Sequence, residues 1–292
     1  MNRAGVNRIF ILGLDGLEHD LVEEWNLIHL KQHEYGKLEV PTNEERGGHP
    51  FTPEVWSAFL VGEEFVTNIE KMCHPLMTIF RMLRFLRKYI NISLGLGNKI
   101  LDMLPVKQWG KLRYGIPSNR KTFLELTKSK AINAPFYDND AYAFHIMYLF
   151  DTGKLSLEET IDAYQRLYRK RKEFILNETE KIQDEDVIFA FMHFPDMMEH
   201  FAYKRPWIIK KHYLDLDSYV SILKSKIEDS TLFLIVSDHG FNLKEGTHTN
   251  YGFYSSSEPL NSKPTRITDF FHLILQTVKK KSRHPSSLSA GS

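Results

Sequence analysis

Four short stretches carry residues that could hold metal ions. LGLDG places Asp15 after an apolar run. PDMMEH places Asp196 and His200 four residues apart, on one face of a helical turn. LIVSDHGF sets Asp238 directly before His239, and EGTHTNYG supplies His248 nine residues after that. Carboxylates and imidazoles are both costly to bury alone, and together they suit Zn2+ or Mn2+, and Mg2+ rather less well. Six such ligands at one place would be enough for two ions, and paired ions point toward phosphoryl transfer. A nucleophile is then needed. In HPFTPEVWSAFLVG, Thr52 precedes Pro53, a preferred first helical residue. Its hydroxyl has two readings: an ordinary helix N-cap, or an attacking oxygen at a helix end that favours an anionic phosphate.

These residues need a frame that brings them together. Three continuous apolar runs read as buried parallel strands: 8–14 (RIFILGL), 186–194 (DVIFAFMHF) and 231–237 (TLFLIVS). Between them lie two long helical patterns. The first, 156–182, opens on a Ser156/Glu159 capping box, and the second spans 206–227. Alternating strands and helices predict an α/β fold with a mostly parallel central sheet flanked by helices. Sites in such sheets form beyond the carboxyl ends of strands, where Asp15, Asp196 and Asp238 all fall.

Residues 63–130 break the rhythm. The run over 76–105 is apolar and basic, with Arg81, Arg84, Arg87 and Lys88, and its pattern is helical and amphipathic. We read 63–130 as a helical insertion within one catalytic domain spanning 1–278. The run over 76–105 then packs on the core, or alternatively contacts a membrane surface or an anionic substrate as a lid. The tail, 279–292, is basic, then small and polar, and is expected to be disordered.

Bulk composition excludes some classes. The chain has 292 residues and a formal net charge of +1, which gives no global footprint for nucleic acid. A single cysteine, Cys73, rules out an internal disulfide framework and fits a reducing, cytoplasmic setting. The apolar N-terminal stretch is cut by Asp15, so it reads as a core strand and not as a targeting segment.

The ordered set LGLDG, FTPEVWSAFLVG, DMMEH, SDHG and GTHTNYG resembles the alkaline phosphatase superfamily, and within it the type I phosphodiesterase/nucleotide pyrophosphatase branch. That branch carries a Thr nucleophile ten residues before a Gly, as Thr52 stands to Gly62. The resemblance implies that Asp196, His200 and His248 bind one metal, and that Asp15, Thr52, Asp238 and His239 surround another. It implies attack by Thr52 on phosphorus, a phospho-threonine intermediate, and a small phosphate ester or nucleotide as substrate. It covers about 1–62 and 184–255. Val61 stands where family members often carry Thr, and no motif aligns through the middle of the chain.

Rival functions stay open at this level. A phosphomutase similar to cofactor-independent phosphoglycerate mutase shares a two-metal core, but that group usually has a Ser nucleophile and a larger inserted domain. Sulfatases need a modified Cys or Ser, which Thr52-Pro53-Glu54 does not offer. A binding module could keep the metals without catalysis. Among other candidates, His193 reads as a residue inside the second strand that supports the site and is not a ligand. His49, His19, His29, His33 and Tyr137 read as loop or surface groups, and Trp56 as core. Lys244 and Asn250 could meet a phosphate.

Overall fold

The computed structural model describes residues 8–44, 47–64, 115–117, 119–138 and 142–283. Ten strands are present there: β1 (Arg8–Leu14), β2 (Glu34–Glu39), β3 (Thr42–Asn43), β4 (His49–Pro50), β5 (Ser129–Ile132), β6 (Val187–Met192), β7 (Thr231–Ser237), β8 (Phe241–Asn242), β9 (Thr247–His248) and β10 (Tyr251–Ser256). The helices are α1 (His19–Glu24), α2 (Ile28–Lys31), α3 (Thr52–Val61), α4 (Phe123–Leu126), α5 (Tyr142–Asp151), α6 (Leu157–Thr179), α7 (Asp196–Ala202), α8 (Pro206–Ser225) and α9 (Asp269–Arg283).

Six strands form the central sheet in the order β2-β10-β7-β1-β6-β5. β7, β1, β6 and β5 are parallel, and β10 runs antiparallel to both its neighbours, so β2 points the same way as the parallel set. The sheet is therefore mostly parallel, as the sequence predicts. Leu14 lies opposite Met192 and Gly13 opposite Val236. The three central strands thus end level, and whatever follows each of them falls at one edge.

Side chains alternate across the sheet and both faces are covered. Phe10, Leu12, Leu14, Ile188, Ala190, Met192, Phe233 and Ile235 pack with Tyr164, Tyr168, Met197, Met198, Tyr213 and Leu216 of α6, α7 and α8. Ile9, Ile11, Val187, Phe189, Phe191, Leu234 and Val236 pack with Val55, Trp56, Phe59, Phe123, Phe270 and Ile274 of α3, α4 and α9. Burial on both faces is why these strands read as unbroken apolar runs. The Ser156/Glu159 box is formed and caps α6.

Two expectations need correction. The run over 76–105 and Cys73 lie outside the described residues, but the C-terminal end of the expected insertion belongs to the core. Thr122 caps α4 with a complete capping box, Phe123 is fully buried, and Ser129–Ile132 is an edge strand of the central sheet. The two flanks of the segment meet: Arg120 pairs with Glu63 at 2.7 Å, and Arg266 pairs with Glu64. The start of the expected tail at 279 falls inside α9, which continues to Arg283, and 284–292 lie outside the described residues. Among the described residues, no helix is long and apolar enough to cross a membrane.

Candidate metal centre

The level strand ends set the site. Asp15 follows β1, Asp196 begins α7 just past β6, and Asp238 and His239 follow β7. His248 arrives on a small hairpin in which Phe241 pairs with His248 and Asn242 with Thr247. Hydrogen bonds from the main chain fix these loops. Asp15 N donates to Met192 O at 3.0 Å, and Leu17 N donates to Ser237 Oγ at 2.8 Å.

All seven candidate residues meet at that edge. His239 Nε2 lies 3.4 Å from Asp15 Oδ1, 3.3 Å from Asp238 Oδ2 and 3.3 Å from Thr52 Oγ1. Asp196 Oδ1 lies 3.2 Å from His200 Nε2 and 3.3 Å from His248 Nε2, and these two nitrogens are 3.0 Å apart. The His239 and His248 rings stack with centroids 3.8 Å apart. Two overlapping candidate ligand sets result, Asp15/Asp238/His239 and Asp196/His239/His248, each with donor atoms within 4.8 Å of one another. His239 belongs to both, so it sits between the two groups and not in one alone.

The donor set fits divalent cations. Asp15 Oδ1, Asp196 Oδ1 and Asp238 Oδ2 are buried and accept no hydrogen bond. Oxygen atoms in that state are costly unless something positive sits between them. Spacing agrees with this. Ligand atoms about 2.0–2.1 Å from a tetrahedral ion lie about 3.3 Å from one another, and the separations here are 3.0–3.4 Å.

Titration behaviour reflects the same crowding. Burial, reinforced by Asp15, pushes the Asp238 carboxyl well above the usual range. Burial also opposes the charged form of Asp196, yet His200 and His248 hold its carboxyl well below the usual range. Burial and Asp196 likewise work against ionised Asp15, but His193 and His239 outweigh them and its pKa is lowered. Burial disfavours a charged His239, yet Asp238, Asp15 and Asp196 raise it well above an ordinary histidine. In each case burial and the charges of close neighbours set the direction of the shift.

The N-cap reading of Thr52 does not hold. The N-cap of α3 is Phe51, and no side chain caps the helix. The Thr52 hydroxyl is not a cap; it faces His239 Nε2. Trp56, one turn on, is fully buried and meets Phe59 and Phe191 edge-on, which roots the helix on the sheet. His193 lies just past β6 and not inside it, and its Nδ1 contacts Asp15 Oδ2 at 3.0 Å. Lys244 and Asn250 are both exposed, as is Tyr137, whose hydroxyl pairs with Thr122.

Three supporting residues escaped the motif reading: Glu18, Thr249 and Glu199. Glu199 lies on α7 with no exposure, and burial pushes its carboxyl well above the usual range. Tyr213 Oη donates to it at 2.7 Å. Helical spacing alone puts Glu199 beside His200, but only the second helix, α8, explains its burial.

No protein-family model matches the sequence, and neither does any curated protein. Solved structures do match. Alkaline phosphatase from the Antarctic bacterium TAB5 aligns with a TM-score of 0.51 at 10% identity, over 94% of this chain and 98% of that one. The chain has the alkaline phosphatase fold. A candidate sulfatase from Bacteroides thetaiotaomicron gives the same TM-score, 0.51, at 10% identity, covering 99% of this chain and 74% of that one. Murine ectonucleotide pyrophosphatase/phosphodiesterase 5 aligns at a TM-score of only 0.40 and 13% identity, over 80% of this chain and 57% of that one. A likeness at that level does not choose a branch within the alkaline phosphatase fold.

Proposed function

We propose that the protein is a metal-dependent phosphohydrolase of the alkaline phosphatase superfamily, acting on a small phosphodiester, pyrophosphate or nucleotide. One observation carries the reading: the uncapped Thr52 hydroxyl lies 3.3 Å from His239 Nε2, beside both ligand sets. Asp15, Asp238 and His239 would hold one divalent ion, Zn2+ or Mn2+, and Asp196, His200 and His248 a second. Bound there, such ions supply Lewis-acid stabilisation of phosphoryl oxygens and a lowered pKa for the hydroxyl.

The chain's own residues do the rest. Thr52 stands at the N-terminus of α3, where the helix dipole favours an anionic phosphate. Its Oγ gives up its proton and bonds to phosphorus as the bond to the leaving oxygen breaks; the leaving oxygen takes up a proton, and a phospho-threonine remains. Water then bonds to phosphorus, the Thr52 Oγ–P bond breaks, and the hydroxyl is restored. His193 keeps the Asp15 carboxylate turned into the site.

The test is metal analysis of the purified protein, then rates on bis-p-nitrophenyl phosphate, p-nitrophenyl phosphate and p-nitrophenyl sulfate with Zn2+ or Mn2+ added. Faster turnover of the diester supports the proposal. Faster turnover of the monoester overturns the diester preference, and faster turnover of the sulfate overturns phosphoryl specificity. Bound metals with no turnover at all would leave a binding module.

A further inference from the structure

Glu18 is 3% exposed, three residues after Asp15. Its carboxylate accepts hydrogen bonds from Asp20 N at 2.9 Å, Tyr251 Oη at 2.7 Å and Thr249 Oγ1 at 3.1 Å. All three donors are neutral groups. A carboxylate buried among neutral donors is costly to keep unless it holds something in place.

What it holds can be followed atom by atom. Thr249 Oγ1 donates to Glu18 and accepts from Gly240 N at 3.1 Å, while Thr249 N donates to Gly240 O at 3.0 Å. Gly240 N also donates to Tyr251 O at 3.1 Å. Gly240 O in turn accepts from His239 Nδ1 at 3.1 Å. A carbonyl can only accept, so this contact puts a proton on Nδ1 and turns Nε2 toward Asp15, Asp238 and Thr52. The glycine of Asp-His-Gly follows from the same packing. A Cβ at position 240 would lie 2.1 Å from Glu18 Oε2 and 2.7 Å from Thr249 Oγ1.

We propose that Glu18 and Thr249 form a clamp, joining the loops after β1, β7 and β9, that orients His239 toward the metal centre. Glu18 is then a positioning residue and no part of it touches substrate. The clamp rests on the two-ion reading of the site.

The test uses the full chain, stripped of metal and titrated with Zn2+ against a chromogenic chelator. Thr249→Val keeps the shape and removes the hydroxyl. Glu18→Gln keeps the volume but turns an N–H2 toward groups that are already donating. Both are expected to bind Zn2+ about 10- to 100-fold more weakly. Thr249→Ser is expected to restore wild-type affinity, which a loss of packing alone would not explain. Circular dichroism of the metal-free forms checks that each variant folds, and Glu18→Gln decides the matter if Thr249→Val does not. Wild-type affinity in the folded variants overturns the clamp and leaves the proposed function standing. A wild-type chain with no affinity for Zn2+ or Mn2+ overturns the two-ion reading and the clamp with it.

Discussion

Asp196 N donates to Asp15 O at 2.8 Å, so the first residue of α7 is tied to the loop after β1 by main chain alone. The bond needs the two loops nearly in contact. Gly16 makes this possible: its φ is +80°, and a Cβ there would lie 2.6 Å from Asp196 Cβ and 2.7 Å from Asp196 Cα. Gly16→Ala is expected to force the loops apart and cost about 1–3 kcal/mol. Urea unfolding of the metal-free protein measures the loss, and a midpoint equal to wild type would refute the close-approach argument.

Thr52→Ala is expected to abolish turnover with little effect on metal content or stability. The hydroxyl caps no helix and its neighbour is a histidine of the candidate site. Steady-state rates beside elemental analysis of the same sample decide the point. Residual activity within about tenfold of wild type would point to another nucleophile.

Asp238→Asn should separate stability from function. The wild-type side chain is fully buried, and burial together with Asp15 works against its ionised form. A neutral amide removes that penalty, so the metal-free variant is expected to melt a few degrees higher than metal-free wild type. Added Zn2+ should raise the melting temperature of wild type by mass action and that of the variant much less. Equal Zn2+-induced shifts in the two proteins would remove Asp238 from the ligand set.

His212 predicts an acid-sensitive fold. It is buried on α8 against Tyr168 and Phe194, and desolvation drives its pKa down to about 4, with Lys211 and Lys172 adding and Asp215 opposing. In the unfolded chain it titrates near about 6.5. Between those values the unfolded state binds a proton that the folded state refuses. Stability therefore falls as pH falls through that window, by up to about 2–3 kcal/mol from this group. His212→Phe suits the aromatic surroundings and is expected to flatten the dependence between pH 6.5 and 4 relative to wild type. Parallel denaturation curves for the two proteins across that range would count against it.

The central strands were legible because parallel strands buried on both faces leave unbroken apolar runs. The predicted spans 8–14 and 231–237 coincide with β1 and β7, and 186–194 overshoots β6 by a residue or two at each end. The meeting of Asp15, Asp196, Asp238 and His239 at one edge followed, since level strand ends need only polar residues just beyond them. The edge strands were not legible. β2 (EYGKLE) has only Leu38 buried, and β5 (SKAI) is four residues long with only Ile132 buried, so neither shows an apolar run. Glu18 was invisible for another reason. No spacing rule marks a carboxylate whose partners, Thr249 and Tyr251, lie more than two hundred residues away. His193 was placed one step too far inside its strand, because Phe194 continues the apolar pattern past the true end at Met192.

The pairing of Arg120 with Glu63 brings side by side two positions far apart in the sequence. Closing such a gap with a short linker costs little entropy, since loop cost grows only with the logarithm of length. Joining those two positions directly would then give a shorter chain, and survival of the sheet and of the cluster around His239 in it would show that both are specified elsewhere in the sequence.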